Sequence, residues 1–165
     1  MTADDRILGV AIHGAGEVAS AHAASWNKNP HAKIVSISSR TRKSAQTLAD
    51  KLGLDCAVHD SFDRILQDEA VDIVNISGPN HVHAEQAIAA AESGRHVLVE
   101  KPTVLTMDEN RALRDAVSKA GVKSIVSFVL RWNPMFESLK TLLAQGPIGK
   151  LFYAEVDYWH GLNPS

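Results

Sequence analysis

Apolar and polar positions along the chain follow two periods, and the order in which those periods alternate predicts the fold. Residues 7–12 form a compact apolar run, followed by Gly14, Ala15 and Gly16 and then by an alanine-rich stretch of helical character. Apolar or β-branched runs of strand length recur at 33–38, 56–58, 72–76, 96–99 and 124–129. Between them, helices are expected at 42–52, 61–67, 81–93, 106–121 and 134–145, and Asn29, Pro30 and His31 mark a turn. Gly53 and Gly94 stand just past expected helix ends, and Thr106 with Glu109 has the spacing of a capping box. Strands and helices in alternation, joined by short turns, predict an α/β fold: a doubly wound parallel sheet with helices on both faces. The stretch 149–160 breaks the pattern, because its strand-forming aromatics follow directly on a helix. A long aromatic strand left as an open edge invites association, so this segment is expected to be the first strand of a second, incomplete domain spanning 147–165. A strand swapped within a dimer is the alternative.

Size and composition narrow the function without naming it. The chain has 165 residues, 45% apolar and 22% charged, enough for one domain with a substantial core. A formal charge of −2 gives no support to nucleic acid or an anionic membrane as a partner. Cys56 is the only cysteine, which suits a reducing compartment and reads as a small buried apolar residue. Asp4 and Asp5 replace the basic start of a leader, and no apolar run approaches a membrane span, so a cytoplasmic protein without signal peptide or anchor is expected.

The chemistry is expected at the carboxyl ends of the strands, where ligands of open parallel sheets bind. The turn Gly14-Ala15-Gly16-Glu17-Val18-Ala19 has the pattern G-x-G-x-x-A between strand and helix. Gly14 permits the tight turn, Gly16 lets a pyrophosphate approach the backbone, and Ala19 lets the helix lie close on the strand. Exposed amides at the helix start, at Glu17 and Val18, then face the phosphates, and the fold becomes a Rossmann domain over 1–146. At the end of the second strand an acid would bind the ribose of NAD; Ser39 and Arg40 stand there instead, with Arg42 and Lys43 behind. Hydroxyl and guanidinium suit a 2'-phosphate, which favours NADP over NAD. Lys101 lies between Glu100 and Pro102 at the end of the fifth strand, where it could hydrogen-bond a substrate hydroxyl whose proton leaves as hydride passes to nicotinamide. A nicotinium charge and partial burial would lower its pKa, and Glu100 would oppose them. His81 and His83 are two apart, wrong for one helical face, and no metal-ligand spacing accompanies them, so no metal is expected. His83 is placed to approach the cofactor or to pack. His13, His22, His31, His59 and His96 have no partner evident from spacing.

These motifs together resemble the N-terminal half of the Gfo/Idh/MocA oxidoreductases: the glycine turn, Pro79 to Ala84 after the fourth strand, Glu100-Lys101-Pro102, and Arg131-Trp132-Asn133-Pro134. The resemblance implies a nicotinamide-dependent dehydrogenase or reductase acting on sugars, cyclitols or related polyhydroxy compounds. It makes Lys101 the catalytic lysine and assigns cofactor contacts to Gly14, Gly16, Pro79, Asn80, Glu100 and Arg131. It further implies a cis peptide before Pro102 and a C-terminal α/β domain that supplies an acid, a histidine, most of the sugar pocket and the interface of a homo-oligomer. The expectation is that these 165 residues bind dinucleotide but turn over substrate poorly or not at all. A non-catalytic dinucleotide-sensing regulator or interaction protein is the competing expectation, against which the retained Lys101 argues.

Overall fold

A computed structural model describes residues 6–159, and contacts divide the chain into two units at Ser127 and Phe128. In the first unit six strands form one parallel sheet: β1 (Leu8–His13), β2 (Ala32–Ser38), β3 (Ala57–His59), β4 (Ile73–Ile76), β5 (His96–Val99) and β6 (Ser124–Val126). Their spatial order is β3-β2-β1-β4-β5-β6, so the winding reverses between β1 and β4. Helices α1 (Glu17–Trp26), α2 (Arg42–Leu52), α3 (Asp63–Leu66), α4 (His83–Glu92) and α5 (Met107–Ala120) connect them.

The two-residue period of β1 sorts the core. Val10 and Ile12 join Ala19 and Ala23 of α1 and Ala45 and Leu48 of α2 on one face of the sheet. Ala11 points the other way, into a cluster with Ala87 and Ala90 of α4, Leu113 of α5 and Val97 of β5. Small residues on α1 and α4 allow the helices to lie close on the strands. A side chain at Gly9 would collide with the Ala70 carbonyl, a close approach that the sequence pattern did not disclose.

Among the described residues the expected elements form, three of them with a different extent, except the strand expected at 149–160. β6 stops at Val126, because the Ser127 amide makes a last bond to the Val99 carbonyl and β5 ends there. The helix expected from 81 starts instead as a 3-10 turn over Asn80–Val82, closed by the Val82 amide on the Pro79 carbonyl, with no cap from the Asn80 side chain. α3 is a single turn, shorter than 61–67. Residues 151–159 form neither strand nor helix, whereas a strand was expected there; a strand needs a ladder partner, and no described residue supplies one. His160 lies outside the described residues.

The second unit contains a 3-10 turn, Val129–Trp132, and α6 (Pro134–Ala144), capped by Asn133 Oδ1 accepting from the Met135 amide at 2.9 Å. Met135, Leu139, Leu142 and Leu143 of α6 are exposed. No helix among the described residues is long and apolar enough to cross a membrane.

Candidate dinucleotide site

The site is built at the carboxyl ends of β1 and β4, where the strand order reverses. Gly14 leaves β1 at φ +116°, with its amide bonded to the Ser38 carbonyl at 2.9 Å. A Cβ there would lie 2.6 Å from the Ser77 oxygen, so both the backbone angle and the neighbouring turn require glycine. Gly16 is different: a Cβ would meet nothing within 4 Å. The space in front of it is open, as a ligand approaching the backbone needs. Gly16 is also the N-cap of α1 and supplies no side chain to the first-turn amides, which leaves them available to an anion.

Beside this turn lies a cleft of about 720 Å³. Of the residues expected to bind cofactor, Gly14, Gly16, Ser39, Arg40 and Pro79 line it. Glu17 lines an adjoining hollow with Lys43 and Lys51. Val18 and Asn80 are exposed beside the turns that carry them. Asp60, Ser61 and Phe62, after β3, also line the cleft, together with His13 and Gln86. None of them carries a motif; Asp60, Ser61 and Phe62 could have been found by their position directly after β3, whereas nothing in the sequence marked Gln86, inside α4.

His13 is nearly buried at the floor of the cleft, edge-on to Phe62 with ring centroids 5.0 Å apart. Gln86 Nε2 donates to its Nε2 at 3.0 Å, and its Nδ1 faces Ser38 Oγ at 2.7 Å. Burial, with a smaller contribution from His83, lowers its pKa to about 4, so the ring is neutral. Gln86 Oε1 is buried with no hydrogen-bond partner among the described residues, an acceptor left open beside the cleft. His83 is 1% exposed, and its ring nitrogens meet the carbonyls of Pro102 (2.8 Å) and Gly78 (2.9 Å). It therefore braces the turn after β4 against the turn after β5, with neither nitrogen turned outward.

At the β5 end, Glu100 is buried, Lys101 is exposed, and the bond between Lys101 and Pro102 is cis. Glu100 Oε2 accepts from the Lys101 amide at 3.2 Å, and Oε1 meets His22 Nε2 of α1 at 2.9 Å. His22 was without a partner in the sequence, yet a signal existed. Positions 19, 22, 23 and 26 share one helical face, and Ala19 and Ala23 mark that face as the buried one. Arg131 belongs to the second unit, where its guanidinium lies 6.0 Å from the centroid of the Trp132 ring.

A parallel sheet in this order, with an uncapped glycine turn at its switch point, defines an α/β domain that binds dinucleotides. The chain belongs to the Gfo/Idh/MocA oxidoreductase family with an NAD-binding Rossmann fold, whose profile matches residues 8–128. It is 32% identical over 144 residues to scyllo-inositol 2-dehydrogenase (NAD(+)) of Bacillus subtilis strain 168, covering 87% of this chain and 42% of that protein. It is 37% identical over 138 residues to D-xylose 1-dehydrogenase (NADP(+)) 2 of Haloferax volcanii, covering 84% and 41%. The crystal structure of apo scyllo-inositol dehydrogenase from Lactobacillus casei superposes with a TM-score of 0.81 at 26% identity, covering 88% and 43%. The chain thus spans about two fifths of the length of these relatives.

Proposed function

We propose that this chain is the cofactor-binding part of an NAD(P)-dependent dehydrogenase that oxidises a hydroxyl, or reduces a carbonyl, of a polyhydroxy substrate such as a sugar or cyclitol. The observation that carries the reading is the open, uncapped turn at Gly16 beside a cleft reaching Ser39 and Arg40. The names of the inositol and xylose dehydrogenases it resembles supply the substrate class. When bound, the nicotinamide supplies or accepts the hydride. Gly14 and Gly16 bring the backbone to the pyrophosphate, with the free amides around Glu17 and Val18 as donors. Pro79 and Asn80 border the cofactor on the β4 side. Lys101 hydrogen-bonds the reacting oxygen of the substrate and assists its proton, and Glu100 sets the Lys101 backbone. NADP is favoured, because no acid stands at the end of β2 and Arg40 has a guanidinium for the 2'-phosphate. The working protein is a cytoplasmic homo-oligomer, in keeping with the exposed aromatics Phe152 and Trp159.

Calorimetric titration of the chain with NADPH and NADH tests this reading. Tight NADPH binding is expected, weakened at least about tenfold by Arg40→Asp, the scale of one charge-assisted phosphate contact. Preference for NADH would overturn the cofactor assignment, and binding of neither would overturn the reading of the site.

A further inference from the structure

We propose that His22 is a positioning residue for the Glu100–Lys101 turn, holding Glu100 through a buried imidazolium–carboxylate contact. The proposal rests on the reading of Lys101 above and adds to it how the lysine is held.

The proton inventory follows from a donor with no alternative. The indole N–H of Trp26 can only donate, and it faces Asn75 Oδ1 at 3.0 Å. That contact identifies the oxygen of the Asn75 amide, and the other terminus, Nδ2, donates to Ser77 Oγ at 2.8 Å. His22 Nδ1 lies 2.7 Å from the same Asn75 oxygen, so Nδ1 must carry a proton. A neutral imidazole has only one N–H. Without another proton, the bare Nε2 would face Glu100 Oε1 at 2.9 Å, lone pair against lone pair. A second proton therefore lies in that contact, and it rests on the imidazole, the more basic of the two groups.

The surroundings fit such a pair. The His22 and Glu100 side chains are 14% and 10% exposed, and a charge at that depth needs a partner. Imidazolium and carboxylate together are neutral. Asn75 from β4 and Ser127 after β6, whose Oγ is 3.3 Å from His22 Nε2, are the other side chains bonded to the pair among the described residues, and neither titrates. Glu100 is thereby divided: Oε1 is held by α1, and Oε2 holds the backbone amide of Lys101. The Lys101 ammonium forms no ion pair among the described residues, with Glu100 or with any other acid. His22 thus keeps Glu100 on the lysine's backbone and leaves the ammonium free for a substrate oxygen.

Ring-nitrogen NMR of the 165-residue chain, labelled with 15N at histidine, tests the proton count without cofactor or turnover. At neutral pH both nitrogens of His22 are expected in the protonated range, and Glu100→Gln should return the ring to a single N–H at Nδ1. One protonated nitrogen in the unaltered chain would overturn the proposal. Hydrogen exchange of the Lys101 amide tests the positioning. His22→Gln keeps a donor where Nε2 stood, whereas His22→Asn keeps only the one facing Asn75. Exchange is expected about tenfold faster in His22→Asn and within about threefold of the unaltered chain in His22→Gln, the scale of one buried hydrogen bond to a charged group. Equal acceleration in both would show general loosening and overturn it. Dinucleotide titration of the same samples separates the two readings: failure to bind refutes the cofactor site, while the ring signals judge His22.

Discussion

The turn after β1 and the turn after β5 serve the same end of the sheet, yet they are made of opposite materials. The first works by omission. Gly14 lacks a Cβ that would strike Ser77, Gly16 leaves open space, and the start of α1 has no side-chain cap. What shapes it lies within a few residues of sequence, apart from the Ser38 carbonyl that accepts from the Gly14 amide and the Ser77 turn it packs against. The second turn works by accumulation: His22, bonded in turn to Asn75, holds Glu100, Glu100 holds the Lys101 amide, and His83 grips the Pro102 carbonyl. Those groups come from three other elements. A site that takes phosphates needs bare amides, which a short motif can specify. On the proposed reading of Lys101, a site that presents one ammonium needs supports, which the packed sheet brings together.

The largest effect that would break this contrast is expected at Gly14. Gly14→Ala forces a non-glycine residue to positive φ and sets its Cβ against the Ser77 oxygen. Overpacking and backbone strain together should cost about 4 kcal/mol in urea denaturation. Calorimetry on the folded fraction should show dinucleotide binding lost. If stability and affinity both survived, the first turn would not depend on omission.

Acid should act on the first turn next. The folded pKa of His13 is about 4, below its ordinary value of 6.5, so the unfolded chain binds a proton that the folded chain refuses. Stability from this group is complete above pH 6.5 and is lost as pH falls toward 4, in all about 3 kcal/mol. Denaturation midpoints of the unaltered chain and His13→Gln should diverge above pH 6.5 and converge toward pH 4. Parallel curves would show that His13 is not held neutral.

The smallest effect belongs to the segment that leaves the second turn. Thr106 Oγ1 accepts from the Glu109 amide at 3.2 Å, and the Glu109 carboxylate accepts from the Leu105 and Thr106 amides, which also lowers its pKa. Thr106→Ala should cost about 1 kcal/mol by thermal denaturation and leave dinucleotide affinity unchanged. A matching loss of affinity would tie the cap to the site.

Local rules made most of the fold legible. The glycine turn, the capping box of α5, the ends of α2 and α5 at Gly53 and Gly121, and the six strands follow from period, propensity and cap chemistry among near neighbours. The sequence by itself therefore determined the order of elements, the parallel sheet and the position of the glycine turn. Long-range pairing decided the rest. β6 is short because β5 ends, and residues 151–159 lack a strand because no described residue offers them a ladder. The acid at Asp60 enters the cleft only because β3 lies beside β2. His22 meets Glu100 across 78 positions of sequence. Hydrogen bonds act over about 3 Å, and no spacing rule says which distant groups a folded sheet will bring within that reach.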